Sequence, residues 1–181
     1  MKRWFALSAI GGDRPGIVAD LTELIYDCDG NLEDTSMTIL GSEFAVLLLL
    51  TGEAADIAPR LSAACKRLEW EKRLTVFFRP LEAEPIPYRA SHQARRYALQ
   101  AVGVDKAGIV AKLSRCLADH RINIRQMQSF SRPQPETGTP MYTMSIRIDV
   151  PRTLDEKSLR DRLDAIARDL NIEVTLERVS G

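Results

Sequence analysis

The sequence predicts an α+β protein in which one fold is used twice, and three observations carry that prediction. The eight residues Gly12-Asp13-Arg14-Pro15-Gly16-Ile17-Val18-Ala19 return as Val104-Asp105-Lys106-Ala107-Gly108-Ile109-Val110-Ala111, an offset of 92 positions. The register continues without a gap through Leu21 and Leu113, Asp27 and Asp119, and Asn31 and Asn123, and a register held over that length marks a duplicated structural unit. In both halves the apolar pattern switches between strand and helix periods in the same order, strand-helix-strand-strand-helix-strand. Between the halves, residues 80–93 contain Pro80, Pro85 and Pro87 and no apolar stripe, the composition of a linker. The expected organisation is a first domain over 1–80, a linker over 81–95 and a second domain over 96–181. Each domain has the split βαβ, ferredoxin-like pattern: a four-stranded antiparallel sheet with both helices on one face.

In the first half, Trp4 to Ile10 reads as a strand. A helix is expected from about Pro15 to Asp27, with Ile17, Val18, Leu21, Leu24 and Ile25 on one stripe. Asp13 is placed to cap its first turn, Pro15 suits the first helical position, and Gly30 is placed to take the left-handed conformation past its end. Asn31 to Leu40 is a second strand, Gly41-Ser42 a tight hairpin, and Phe44 to Leu50 a third strand. A helix over about Ala54 to Glu69 carries Ile57, Leu61, Cys65 and Leu68 on one face, and Arg73 to Arg79 closes the half as a strand.

The second half repeats this order. Tyr97 to Val102, Asn123 to Arg132, Tyr142 to Val150 and a run through Ile172, Val174 and Leu176 read as strands. Ile109, Val110, Leu113 and Leu117 mark one helix, and Leu159, Leu163, Ile166 and Leu170 the other. One large difference separates the halves: Arg132 to Pro140 replaces Gly41-Ser42, and aligning Phe44 with Tyr142 raises the offset to 98. Its prolines predict a protruding loop and not a ladder. The second sheet alternates cleanly, with Thr143, Ser145, Arg147, Asp149, Glu173, Thr175 and Glu177 outward, so one of its faces is expected to be wet. In the first half Val46 to Leu50 is apolar on both sides, and Phe77 and Phe78 are consecutive. Such a strand predicts that both faces are covered, by the other half or by another copy of the chain.

Composition narrows the function. Twenty-five basic and 25 acidic residues give a formal net charge of zero, which argues against nucleic acid as the direct partner. The small basic cluster Arg89, Arg95 and Arg96 reads as a solvated linker. Cys28, Cys65 and Cys116 have no disulfide or zinc spacing, the start has no signal-peptide core, and the longest apolar run is too short for a bilayer. A soluble, cytoplasmic protein without membrane contact is expected.

Catalysis finds little support. His92 and His120 have no nucleophile motif nearby, and Asp27, Asp29, Glu33 and Asp34 lack the spacing and turn glycine of a calcium loop. No phosphate loop and no dinucleotide fingerprint occur, so no catalytic residue, metal or cofactor is assigned. Met37, Met127, Met141 and Met144 read as core or interface filler. What remains is the repeated Asp-x-x-Gly-Ile-Val turn, a strand-to-helix junction whose exposed N–H groups suit an anion such as a carboxylate.

That turn, with the helix after it and Asn31-Leu32 opening the next strand, resembles the signature of ACT domains, small βαββαβ regulatory modules that bind amino acids between two copies. The resemblance spans nearly the whole chain apart from the linker and the long hairpin. Two such modules with no attached enzyme are similar to the glycine cleavage system transcriptional repressor group. The resemblance implies a non-enzymatic sensor of a small amino acid, glycine first, acting on a transcription regulator, and a homodimer. It places ligand contacts on Asp13, Arg14, Pro15, Gly16, Ile17, Asn31 and Leu32, and in the second copy on Asp105, Gly108, Ile109, Asn123 and Ile124. Lys106-Ala107 stands where the first copy has Arg14-Pro15, so the second copy departs from the pattern. Two other readings stay open: a ligand-independent interaction module, and a stand-alone regulatory subunit of an amino-acid metabolic enzyme.

Overall fold

Each half of the chain folds as one antiparallel sheet with two helices laid over a single face. The computed structural model describes residues 2–86 and 94–179, and Met1–Pro87 and Tyr88–Gly181 form two separate compact units. The first unit runs β1 (Arg3–Gly12), α1 (Ile17–Asp27), β2 (Gly30–Leu40), β3 (Glu43–Gly52), α2 (Ile57–Lys72) and β4 (Thr75–Leu81). The second runs β5 (Ala94–Val104), α3 (Ile109–Asp119), β6 (Asn123–Pro133), β7 (Pro140–Pro151), α4 (Glu156–Leu170) and β8 (Ile172–Arg178). Strand order is β2-β3-β1-β4 in the first sheet and β6-β7-β5-β8 in the second, the expected α+β, ferredoxin-like topology in both.

The two periods meet in the cores. Alternate residues Phe5, Leu7 and Ala9 of β1 and Phe44, Val46, Leu48 and Leu50 of β3 face the helices, where Ile17, Leu21, Leu24, Ile57, Leu61 and Leu68 close over them. The second core repeats this with Tyr97, Leu99, Met144, Ile146 and Ile148 against Ile109, Leu113, Leu117, Leu159 and Leu163. Val18, expected on the α1 stripe, is exposed because it lies one position past Ile17 and rotates off the buried face. Of the methionines assigned as filler, Met144 is buried, whereas Met37 and Met127 are half exposed. The three cysteines are free buried thiols, and burial pushes the Cys65 thiol up to about 12.

Helix ends depart from the sequence reading in an informative way. Neither α1 nor α3 has a side-chain cap; their N-cap residues are Gly16 (φ 94°) and Gly108 (φ 98°), both left-handed. Asp13 is therefore not the cap, and Pro15 precedes the helix instead of opening it; the Asp13 N–H donates to the Ser42 carbonyl at 2.8 Å. Side-chain capping appears at α4, where the Asp155 carboxylate accepts from the Lys157 and Ser158 N–H groups. Past α1 the left-handed residue is Asp29 (φ 57°), not Gly30, and its counterpart past α3 is Arg121 (φ 54°). Gly30 is needed for room: a Cβ there would lie 2.9 Å from the Ile25 carbonyl oxygen.

Both strands flanking the linker are longer than expected. Pro80 lies in β4 opposite Phe5, and an edge strand tolerates its missing N–H. Arg95 and Arg96 belong to β5, not to a solvated linker; Arg95 donates to the Leu154 carbonyl at 2.7 Å and lies 3.7 Å from Glu156. Arg89 and His92 lie outside the described residues. The long hairpin is also more ordered than its prolines suggest: Pro133 pairs with Pro140 as the last rung, and Gln134 and Thr139 close the tip.

The outer faces of the two sheets differ. Arg147, Ser145, Glu173 and Thr175 stand outward on the second, but Asp149 is buried, 4.0 Å from the Arg125 guanidinium. On the first, Ile10, Leu47 and Phe77 are 51%, 53% and 64% exposed. The first unit's own helices, on the opposite face, leave these side chains uncovered.

One ion pair ties the helices in each unit, with its polarity reversed. In the first, Asp20 of α1 meets Lys72 of α2 at 3.2 Å; in the second, Lys112 of α3 meets Asp169 of α4. Asp20 and Lys112 occupy the same place in the repeat, 92 positions apart.

The packing makes one stability prediction. Leu61 is fully buried where α2 crosses the first sheet, so Leu61→Ala should lower the unfolding free energy by about 2–5 kcal/mol. Urea titration checks this; a loss under about 1 kcal/mol would mean that α2 contributes little to the core.

Candidate ligand site

The turn between β1 and α1 is built around a positive φ. Gly16 turns the chain at φ 94° so that α1 can fold back over the sheet, and a Cβ at this position would meet only the Arg14 guanidinium, at 4.0 Å. Space is therefore not the constraint; backbone geometry is, and it disfavours any L side chain. With no side chain capping α1, the N–H groups of its first turn face outward without intrahelical acceptors. They form a positive, donor-lined end suited to a carboxylate. Asp13, Pro15 and Gly16 are exposed, Arg14 is half-buried, and Ile17 is buried in the core.

Arg14 is already engaged. Its guanidinium donates to Asp20 Oδ2 at 2.8 Å, and Lys72 approaches the other carboxylate oxygen. These two cations hold the Asp20 carboxyl below the usual range. The turn therefore presents backbone donors to solvent while its cation braces the helix.

Asn31 and Leu32 lie elsewhere. Asn31 pairs across β3 with Thr51, which pairs with Trp4 near the start of β1, whereas the turn follows Gly12 at that strand's end. Eight residues at about 3.3 Å each separate the two levels, roughly 25 Å along the sheet. The second unit repeats the separation: Asn123 pairs with Asp149, which pairs with Arg96, and Asp105 follows Val104 at the far end. Neither unit brings its turn and its asparagine together. The sequence-predicted residues form two half-sites per unit, one at each end of the sheet.

Residues that the sequence did not single out for this role surround Asn31. A bulge between Leu32 and Asp34 re-aims Glu33, whose carboxylate accepts from Thr51 at 2.7 Å and from Asn31 at 3.3 Å and pairs with Lys2 at 2.8 Å. In the second unit the same bulge carries Arg125, above buried Asp149 and beside Arg147, around a hollow of about 360 Å³ that Asn123 also lines. The reversal from Glu33 to Arg125 at the 92-residue offset was the visible signal. In the second turn Gly108 keeps the left-handed cap, while Asp105 donates its N–H to the Pro140 carbonyl at 2.9 Å. Lys112 stands where Asp20 would anchor an arginine, so the Arg14 brace has no equivalent there. No group of three or more metal-binding side chains occurs among the described residues.

Glu33 makes the site sensitive to acid. The Lys2, Thr51 and Asn31 hydrogen bonds lower its carboxyl from the usual 4.5 to about 2. A depressed pKa contributes stability that is complete above about pH 4.5 and is lost as the pH falls through about 2. The Glu33 carboxyl resonance should titrate near pH 2 by NMR, and Glu33→Gln should flatten the fall in thermal midpoint across that window. A midpoint near 4.5 would show that the Lys2 and Thr51 contacts do not persist in solution.

Comparison with known proteins agrees with this architecture. Residues 4–79 match the ACT domain family model. The chain is 24% identical over 185 aligned residues to the glycine cleavage system transcriptional repressor of Escherichia coli (strain K12), covering 99% of this chain and 92% of that protein. The crystal structure of a protein of unknown function from Galdieria sulphuraria superposes with a TM-score of 0.80 at 26% identity, covering 99% of this chain and 100% of that one. The crystal structure of a candidate glycine cleavage system transcriptional repressor has the same fold, with a TM-score of 0.72 at 19% identity over 100% of this chain and 99% of that one. Among the described residues no helix is long and apolar enough to cross a membrane. Residues 4–79 thus match the ACT domain model, the second unit repeats the strand order of the first, and the chain resembles the glycine cleavage system transcriptional repressor along its full length.

Proposed function

We propose that this chain is a non-enzymatic, cytoplasmic regulator that binds a small amino acid, glycine first, and relays its presence to a transcription regulator by protein contact. One observation carries the reading: the uncapped, left-handed glycine turn occurs twice, and each time its companion asparagine lies at the opposite end of the sheet. A ligand held by both half-sites has to bridge two modules, and such a bridge couples occupancy to assembly. In this reading the α-carboxylate sits on the N–H groups after Gly16, and the ammonium meets the Asn31 and Glu33 oxygens of another module. The relative from Escherichia coli is named as a repressor of the glycine cleavage system, which supports glycine. The zero net charge supports protein contact over direct nucleic-acid contact, and three buried thiols suit a reducing compartment.

A second reading has its own observation. Because Arg14 is occupied by Asp20 and the outer face of the first sheet is apolar, the chain also fits an interaction module that needs no small ligand, including a regulatory subunit of a metabolic enzyme.

Isothermal titration with glycine and a panel of amino acids separates the two. Glycine or a close analogue should bind, and Gly16→Val, which forces a β-branched residue to positive φ, and Asn31→Ala should each weaken binding by about tenfold or more, 1.4 kcal/mol. If no amino acid binds and Gly16→Val leaves regulation of the target pathway intact, the sensing reading fails and the ligand-independent one stands.

A further inference from the structure

The open face of the first sheet is patterned for a copy of itself. Cross-strand pairing sets its outward residues in rows from β2 to β4: Asp34-Leu49-Ala6-Arg79, then Ser36-Leu47-Ser8-Phe77, then Thr38-Ala45-Ile10-Thr75. Each row has one large and one small residue at its two central positions, Leu49 beside Ala6, Leu47 beside Ser8, and Ile10 beside Ala45. A two-fold axis lying in the interface and parallel to the strands turns every row end for end. It sets Leu49 over Ala6, Leu47 over Ser8, Ile10 over Ala45 and Phe77 over Ser36, large against small throughout. The same operation brings Asp34 at one sheet edge over Arg79 at the other, twice per pair. Neither side chain has an ion-pair partner among the described residues.

Other occupants fit less well. An axis across the strands would stack Leu47 on Leu47 and Phe77 on Phe77 and leave Asp34 facing Thr38. The outer face of the second sheet offers Gln126-Arg147-Ala98-Glu177, Gln128-Ser145-Gln100-Thr175 and Phe130-Thr143-Val102-Glu173 in its rows; Phe130 and Val102 apart, it could cover Leu47 and Phe77 only by burying Arg147 and the two glutamates. A hollow of about 540 Å³ over Ala6, framed by Leu47, Leu49, Arg79 and Leu81 and walled along one side by Glu82, Ala83 and Pro85 of the segment after β4, lies where Leu49 of a second copy would enter. Facing sheets cross at about −30°, so the match is closest at the central rows, where the large-small alternation is strictest.

We infer that the first unit forms an isologous, sheet-on-sheet homodimer through this face, with Leu47 and Leu49 as its core and Asp34–Arg79 pairs fixing its register. The interface goes beyond the amino-acid reading and does not depend on it. Self-complementary packing of one patch on itself is the geometry of a closed two-fold dimer, and the charges at its edges choose between the two sheet orientations.

Sedimentation equilibrium on the full chain tests the inference without any ligand. The wild type should have twice the monomer mass. Asp34→Arg and Arg79→Asp, both at exposed edge positions, should each weaken dimerisation by roughly tenfold or more by facing like charges. The double variant, which restores opposite charges in reversed order, should recover the dimer. Leu47→Glu should give a monomer with an unchanged far-ultraviolet circular dichroism spectrum. A monomeric wild type, an assembly whose mass ignores Leu47→Glu, or a double variant no better than its parents would each overturn the interface. Failure here with amino-acid binding intact would leave the sensing reading standing.

Discussion

A four-stranded sheet has two faces, and each unit of this chain has only enough helix to cover one. That constraint organises the molecule. It decides which alternate residues of β1 and β3 become core, and it turns the strand-to-helix junction into a sharp reversal that needs glycine at positive φ. It also leaves an outer face in each unit whose character the sequence is free to set. The second unit sets it mostly polar, with Arg147, Ser145 and Glu173 around an apolar pair, Phe130 and Val102. The first sets it apolar, with Ile10, Leu47 and Phe77, and exposed apolar patches of that kind are usually covered in the working assembly.

The duplication matters because its copies have diverged at particular atoms. Gly16 and Gly108 keep the same backbone geometry, within a few degrees. Arg14, which braces the first turn through Asp20, has become Lys106, and its anchor has become Lys112. At the other end of the sheet Glu33 has become Arg125 and Thr51 has become Asp149, so the charge order around the paired asparagines is inverted. Backbone form is retained while the side-chain chemistry at both half-sites is not, so the shared fold does not by itself give the two units one function.

Much of this fold was legible in the sequence because its signals are local. The Gly41-Ser42 hairpin, the four amphipathic helices and the alternation of β7 each declare themselves within a dozen residues; all are present, with α2 shifted by three residues and Asp149 of β7 buried where a wet residue was expected. Errors arose where an alternative local solution existed: Asp13 had the chemistry of a cap, but the chain capped with left-handed Gly16, and Asp29 took the conformation assigned to Gly30. The site was less legible than the fold. Its residue types could be read, but the distance between the turn and Asn31 depends on strand register across β3, and the roles of Glu33 and Arg125 depend on bulges. Both are long-range properties that no window of sequence contains.

The reversed helix bridges bear on how a duplicated chain sorts its own halves while folding. Two like units in one polypeptide risk exchanging a helix, because the sheets that receive α1 and α3 share one topology. Docked on the wrong unit, α1 would bring Asp20 against Asp169, and α3 would bring Lys112 against Lys72, where each native partner is the opposite charge. The inverted pair thus sets a like-charge contact against each wrong docking, a small surface bias that adds to the differences between the two cores.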